Sequence, residues 1–104
     1  MATISNDVVT LVNVFTVAPE RQQELVDMLI EATEATMKNV PGFVSANIHK
    51  SLDGKRVVNY AQWRTAEDFE EMLKNPDALT HMGPIKELAE FDAHLYEVVE
   101  SISK

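Results

Sequence analysis

Asn13, Asn47, His49, Asn59 and Trp63 are hydrogen-bonding side chains set in segments that otherwise read as β-strand. Side chains two apart on a strand point the same way, so Val57, Asn59, Ala61 and Trp63 share one side, and Val58, Tyr60 and Gln62 share the other. An amide among apolar neighbours on a core-facing strand costs free energy unless something hydrogen-bonds to it. That partner is either a neighbouring backbone group or a bound substrate. Each residue alone has a plain structural alternative: Asn59 bonded to backbone, Trp63 in the core, His49 in solvent beside a turn. Gathered on one face, they make a better case for a pocket. His81, beside Met82 and Gly83 in an interrupted helix, points either into that pocket or out of it.

Other chemistries find little support. The three histidines, His49, His81 and His94, include no pair at the i, i+4 spacing of a helical metal motif. There is no cysteine, which excludes thiolate metal sites, disulfides and thiol catalysis. The carboxylates fall mostly on helix faces, where a solvated acidic surface explains them better than a catalytic pair. With three glycines in all, no phosphate-binding loop can be built. A net charge of -8 disfavours nucleic acid and anionic membrane surfaces. The opening residues Met1 to Asp7 lack a basic and apolar leader pattern, and no stretch approaches membrane-spanning length. The expectation is a cytoplasmic protein whose 104 residues, 1–104, form one domain with a modest core.

The elements that would position these residues follow from local signals. Val8 to Val17 is rich in β-branched residues and reads as strand. Ala18-Pro19-Glu20 opens a helix, with Leu25, Met28, Leu29, Ala32 and Ala35 at helical spacing, broadened by Val26 and Ile30. It should stop near Asn39, because Val40-Pro41-Gly42 is a breaker. Phe43 to Ser51 is the second strand. Leu52-Asp53-Gly54 then forms a hairpin loop closed by Ser51 and Lys55, with a two-residue loop as the competing register. An odd loop puts Asn47 and His49 on the face of Asn59 and Trp63, whereas a two-residue loop separates them. The three-residue form is favoured. Thr65 caps a second helix with Asp68 in a capping-box position, and Phe69, Met72 and Leu73 form its stripe. Asn75-Pro76 starts a further turn through His81, Gly83-Pro84 interrupts it, and Ile85 to Ala89 follows. Phe91 to Val99 is the last strand.

This βαββαβ order predicts an α+β, ferredoxin-like split βαβ fold with an antiparallel sheet and both helices on one face. The other face stays open in a monomer. Val8, Val12 and Val14 oppose Leu11, Phe15 and Val17, so neither face of the first strand is hydrophilic, and a sheet-to-sheet homodimer is expected.

Pro41-Gly42-Phe43, Ser51-Leu52-Asp53-Gly54, Asn59-Tyr60-Ala61-Gln62-Trp63 and Leu95-Tyr96-Glu97-Val98-Val99 together resemble the antibiotic biosynthesis monooxygenase family, over about Leu11 to Val99. The resemblance implies a dimeric α+β barrel. Its anthrone-oxygenase branch implies catalytic roles for Asn59 and Trp63, four residues apart, and for His49 on the preceding strand. Asn13, Phe69, Met72 and His81 would bind substrate. Two departures stand out: a tyrosine of that branch falls at Phe69, which has no hydroxyl, and no arginine follows Arg64.

The implied reaction is cofactor-free oxidation of a phenolic polycycle to a quinone by molecular oxygen. The substrate supplies the electrons, so the protein need only bind it, help remove a C–H proton and steady the anion with neutral donors. The Asn59 amide and Trp63 indole suit that role, and His49 or His81 could accept the proton. No metal and no cofactor is expected, and the partners are a small aromatic substrate, oxygen and a second copy of the chain. Haem-degrading relatives give an alternative: Asn13 and His81 fall near their positions, but the required Trp falls on Met72. A non-catalytic dimeric module holding an aromatic metabolite is the third reading.

Overall fold

A computed structural model describes residues 7–104. The first six residues, on which most of the leader reading rests, lie outside the described residues. The elements run β1 (Val9–Thr16), a 3-10 turn (Pro19–Arg21), α1 (Gln22–Ala35), a second 3-10 turn (Met37–Asn39), β2 (Phe43–Lys50), β3 (Arg56–Trp63), α2 (Ala66–Met72), α3 (Pro76–Leu88) and β4 (Glu90–Glu97). The strands form one antiparallel sheet in the order β2-β3-β1-β4. This is the ferredoxin-like α+β arrangement expected from the element order. The helices cover the face that carries Leu11, Phe15, Val57 and Ala61, all buried.

Proline punctuation accounts for the α1 region. Pro19 opens the turn ahead of α1, and Leu25, Leu29 and Ala32 bury its apolar stripe while Ile30 stays exposed. The α-helix ends at Ala35 and tightens into the 3-10 turn before Val40, whose extended backbone is what a residue preceding proline prefers. Gly42 follows with φ +87°, and a side chain there would collide with Asp68. Gly42→Ala is therefore expected to destabilise the fold by about 2 kcal/mol or more, from the left-handed backbone and the collision together. Thermal melting checks this, and an unchanged midpoint would contradict it.

Three expectations are corrected. The β2–β3 hairpin closes on Ser51 and Arg56, with Ser51 N–H donating to the Arg56 carbonyl at 2.9 Å, so the loop is Leu52 to Lys55 and not three residues. Asp53 Oδ1 accepts from the Ser51 hydroxyl (2.7 Å) and the Lys55 amide (3.0 Å), which holds its carboxyl below the usual carboxylate range. Gln22 donates from α1 to the carbonyls of both Ser51 (3.1 Å) and Arg56 (2.9 Å). Lys55 thus lies inside the loop, and Val17 N–H caps its carbonyl at 3.1 Å.

The second correction concerns Gly83-Pro84, which does not interrupt the helix. α3 runs through both residues. A proline in a helix removes one backbone N–H hydrogen bond; burial of Ala78 and Ile85 on either side keeps the segment packed. The third is that β4 begins at Glu90 and ends at Glu97, short of Val99, which is exposed beyond the Val9–Glu97 pair where β1 starts.

Candidate active site

A cavity of about 380 Å³ lies between the sheet and the helices. Its size falls in the ordinary range of small-molecule sites. The strands supply its floor, including Leu11, Asn13, Phe15, Asn59, Ala61 and Trp63; Phe69, Met72, His81 and Ile85 stand among the helical residues that close it. Of the residues singled out in the sequence, Asn13, Asn59, Trp63, Phe69, Met72 and His81 all line this space. His49 does not.

Register explains both outcomes. Asn13 faces Asn59 directly across the β1–β3 ladder, so the two amides are neighbours on the cavity floor. The four-residue loop has even parity, pairing Ile48 with Asn59 and His49 with Val58. Asn47 and His49 therefore lie on the opposite face of the sheet. His49 is exposed, with Nδ1 3.1 Å from the Asn47 carbonyl, and Asn47 donates to the Tyr60 carbonyl at 3.1 Å. His49 is corrected from catalytic residue to outer-face residue. His49→Ala should leave turnover within roughly twofold of wild type, as for most surface substitutions; a loss of 10²-fold would contradict the placement.

A β-bulge rescues one residue for the cavity. Pairing steps from Phe43–Trp63 to Ser45–Gln62, which leaves Val44 unpaired and exposed. The extra residue switches the parity of β2, so Phe43 joins the face of Ala46 and Ile48. Phe43 meets the Trp63 indole edge-on at 5.6 Å between centroids, and Phe69 does the same at 5.9 Å from α2. α2 is itself fixed by Thr65, whose Oγ1 accepts from the Asp68 amide at 3.0 Å. The Asp68 carboxylate takes two bonds from Arg64, at 2.8 and 3.1 Å, which lower its pKa from the ordinary value. The indole is thereby locked in place.

The polar atoms inside this apolar enclosure are unusual. Asn13 Oδ1, Asn59 Oδ1 and Trp63 Nε1 are buried with no hydrogen-bond partner among the described residues. Each such group costs about 1–3 kcal/mol, and cores normally satisfy them. Two amides and an indole N–H, left open around one cavity, form a preorganised set of hydrogen-bonding positions. An amide can offer either its oxygen to a phenol O–H or its NH2 to an anionic oxygen; the indole can only donate.

Lys86 was missed in the sequence. It lines the cavity from α3, with Nζ 6.0 Å from the centroid of the Phe91 ring. Reading Gly83-Pro84 as a break hid that His81, Met82, Ile85 and Lys86 share one helical face, at i, i+1, i+4 and i+5.

The chain is similar to known proteins in sequence and fold. The antibiotic biosynthesis monooxygenase family profile matches residues 8–83. Over 83 residues the chain is 55% identical to the tetracenomycin-F1 monooxygenase of Streptomyces glaucescens, a match covering 78% of this chain and 74% of that one. The monooxygenase ActVA-Orf6 of Streptomyces coelicolor, solved with nanaomycin D, superposes with a TM-score of 0.86 at 27% identity, covering 95% of this chain and 94% of that one. SnoaB, a cofactor-independent oxygenase from Streptomyces nogalater, superposes with a TM-score of 0.78 at 27% identity, covering 94% and 99%.

Proposed function

The chain belongs to the antibiotic biosynthesis monooxygenase family, and from that membership we propose that it oxidises a flat phenolic polyketide of the anthrone type to a quinone, using molecular oxygen and no bound cofactor. The observation that carries this reading is the buried, unpaired indole donor Trp63 Nε1, set in a mostly apolar cavity beside the Asn13 and Asn59 amides, whose oxygens are also without partners among the described residues. A related monooxygenase at 55% identity and a cofactor-independent oxygenase of the same fold support it.

The chemistry asks little of the protein. Loss of a proton from the anthrone methylene gives a delocalised carbanion whose negative charge rests largely on the carbonyl oxygen. Donation from an asparagine amide and from Trp63 Nε1 stabilises that oxygen. His81 is the histidine that lines the cavity and is the candidate proton acceptor. The carbanion reduces oxygen, a C–O bond forms, and the resulting peroxide loses water. One anthrone and one oxygen molecule thus give one quinone and one water. The test uses dithranol and isotopically labelled oxygen. Label in the new quinone carbonyl, formed faster than in buffer, is expected; an unlabelled product would overturn the scheme.

Haem degradation is kept as a second reading because Asn13 and His81 border the same cavity. Met72 stands where that chemistry needs an indole, and Trp63 belongs to the strand floor. A sharp Soret band on haem addition, abolished by His81→Ala, would favour haem over the anthrone reading. Binding of aromatic ligands with no oxygen consumption would instead favour a non-catalytic module.

The assembly is proposed to be a homodimer. Val12, Val14, Val58 and Tyr60, on the sheet face away from the helices, are only partly buried. A second copy covering them should bury well above roughly 1,000 Å² in total. Light scattering at micromolar concentration is expected to give twice the mass of the chain; a stable monomer would contradict the packed-sheet arrangement.

A further inference from the structure

We infer that Lys86 is a specificity-determining residue, selecting aromatic substrates that carry an anionic oxygen, carboxylate or ionised phenol, at the end of the ring system remote from Trp63. The inference rests on the oxygenase reading only for the claim that the natural occupant is an aromatic polyketide.

Two independent observations carry it. Lys86 is the one lysine or arginine among the residues lining the cavity. Arg21, Lys38, Arg56, Arg64 and Lys74 sit in ion pairs; Lys86, like Lys50, Lys55 and Lys104 away from the cavity, forms none among the described residues, although Glu87 and Glu90 are close in sequence. Its Nζ lies 6.0 Å over the Phe91 ring instead. An aromatic face steadies an ammonium group without neutralising it, so the charge remains available to a ligand. In a chain of net charge -8, an uncancelled cation at the cavity rim is a local exception that an anion would seek.

The second observation is position. Phe91 faces Phe15, and Phe15 faces Val57, whereas Trp63 lies six residues further along β3. Six residues of strand span about 20 Å. The floor therefore runs from the Lys86–Phe91 end, past the Asn13–Asn59 pair, to the indole. A flat molecule tethered by an anionic oxygen at Lys86 lays its rings over the two amides and towards Trp63. A neutral molecule of the same shape has no such tether and can slide along the floor.

The sequence contains a single tryptophan, so Trp63 fluorescence reports cavity occupancy directly. The probes are anthraquinone carboxylate and its methyl ester, and hydroxyanthraquinone, held above the ionisation pH of its phenol, with methoxyanthraquinone. Wild type is expected to bind at least one anion roughly tenfold more tightly than its neutral partner, as for a hydrogen bond to a charged group. Lys86→Met should bring that ratio to about one, Lys86→Arg should retain it and Lys86→Glu should invert it. Added salt should shrink it in wild type alone. Loss confined to the acid–ester pair assigns a carboxylate, and loss confined to the phenol pair assigns a phenolate. A ratio that is the same in wild type and Lys86→Met, or no binding of any probe, overturns the inference. Failure of dithranol oxidation with the Lys86-dependent ratio intact removes the oxygenase reading alone; oxidation with a Lys86-independent ratio removes this one alone.

Discussion

Asn59→Ala is expected to lower turnover of an anthrone roughly 10²- to 10³-fold, the usual effect of removing one preorganised oxyanion donor, while the melting temperature stays level or rises. The two expectations belong together. Asn59 Oδ1 is buried without a partner, so the folded protein loses no internal hydrogen bond when the amide is removed. Relief of an unsatisfied polar group offsets the small loss of packing. A structural asparagine would behave in the opposite way, with stability falling first and activity following it. Wild-type turnover in Asn59→Ala, or a melting loss large enough to account for the activity loss, would return this residue to a structural role.

Trp63→Phe should also cost roughly 10² or more in turnover, with a stability loss below about 1.5 kcal/mol. Phenylalanine keeps most of the ring surface that Phe43 and Phe69 clasp edge-on, at 5.6 and 5.9 Å. What it removes is Nε1–H, a buried donor with no acceptor among the described residues. Chemical denaturation and steady-state kinetics on the same preparation separate the two effects. Should kcat hold while KM alone rises, the indole binds ground state and transition state equally, and its place as an oxyanion donor is lost.

Much of this arrangement was legible because it is written in local signals. Pro19, Pro41-Gly42, Thr65 and Asn75-Pro76 each mark a boundary that the chain obeys within a few residues. The strand alternation of Asn59 and Trp63 was enough to place both on one face, and their partner Asn13 followed once β1 and β3 paired. His49 was misplaced for a non-local reason. The parity of its hairpin depends on Asp53 and Ser51 closing a four-residue loop, and on Gln22 reaching across from α1 to hold both ends. Nothing in Leu52 to Lys55 alone distinguishes that loop from a shorter one. Lys86 was hidden by the opposite error, in which a local signal was read too strongly: Pro84 suggested a break where tertiary burial of Ala78 and Ile85 carries the helix through.

The central claim is that two amides and an indole, held open in a cavity, let a phenolic substrate react with oxygen on its own electrons. An oxygen electrode tests it most directly, with chelator-treated, dialysed protein and dithranol. The account predicts uptake well above the buffer rate, one oxygen molecule for each quinone formed, and a return to the buffer rate in the Asn59→Ala, Trp63→Phe double variant. Uptake that appears only after haem, flavin or metal is added, or that survives in the double variant, would contradict it.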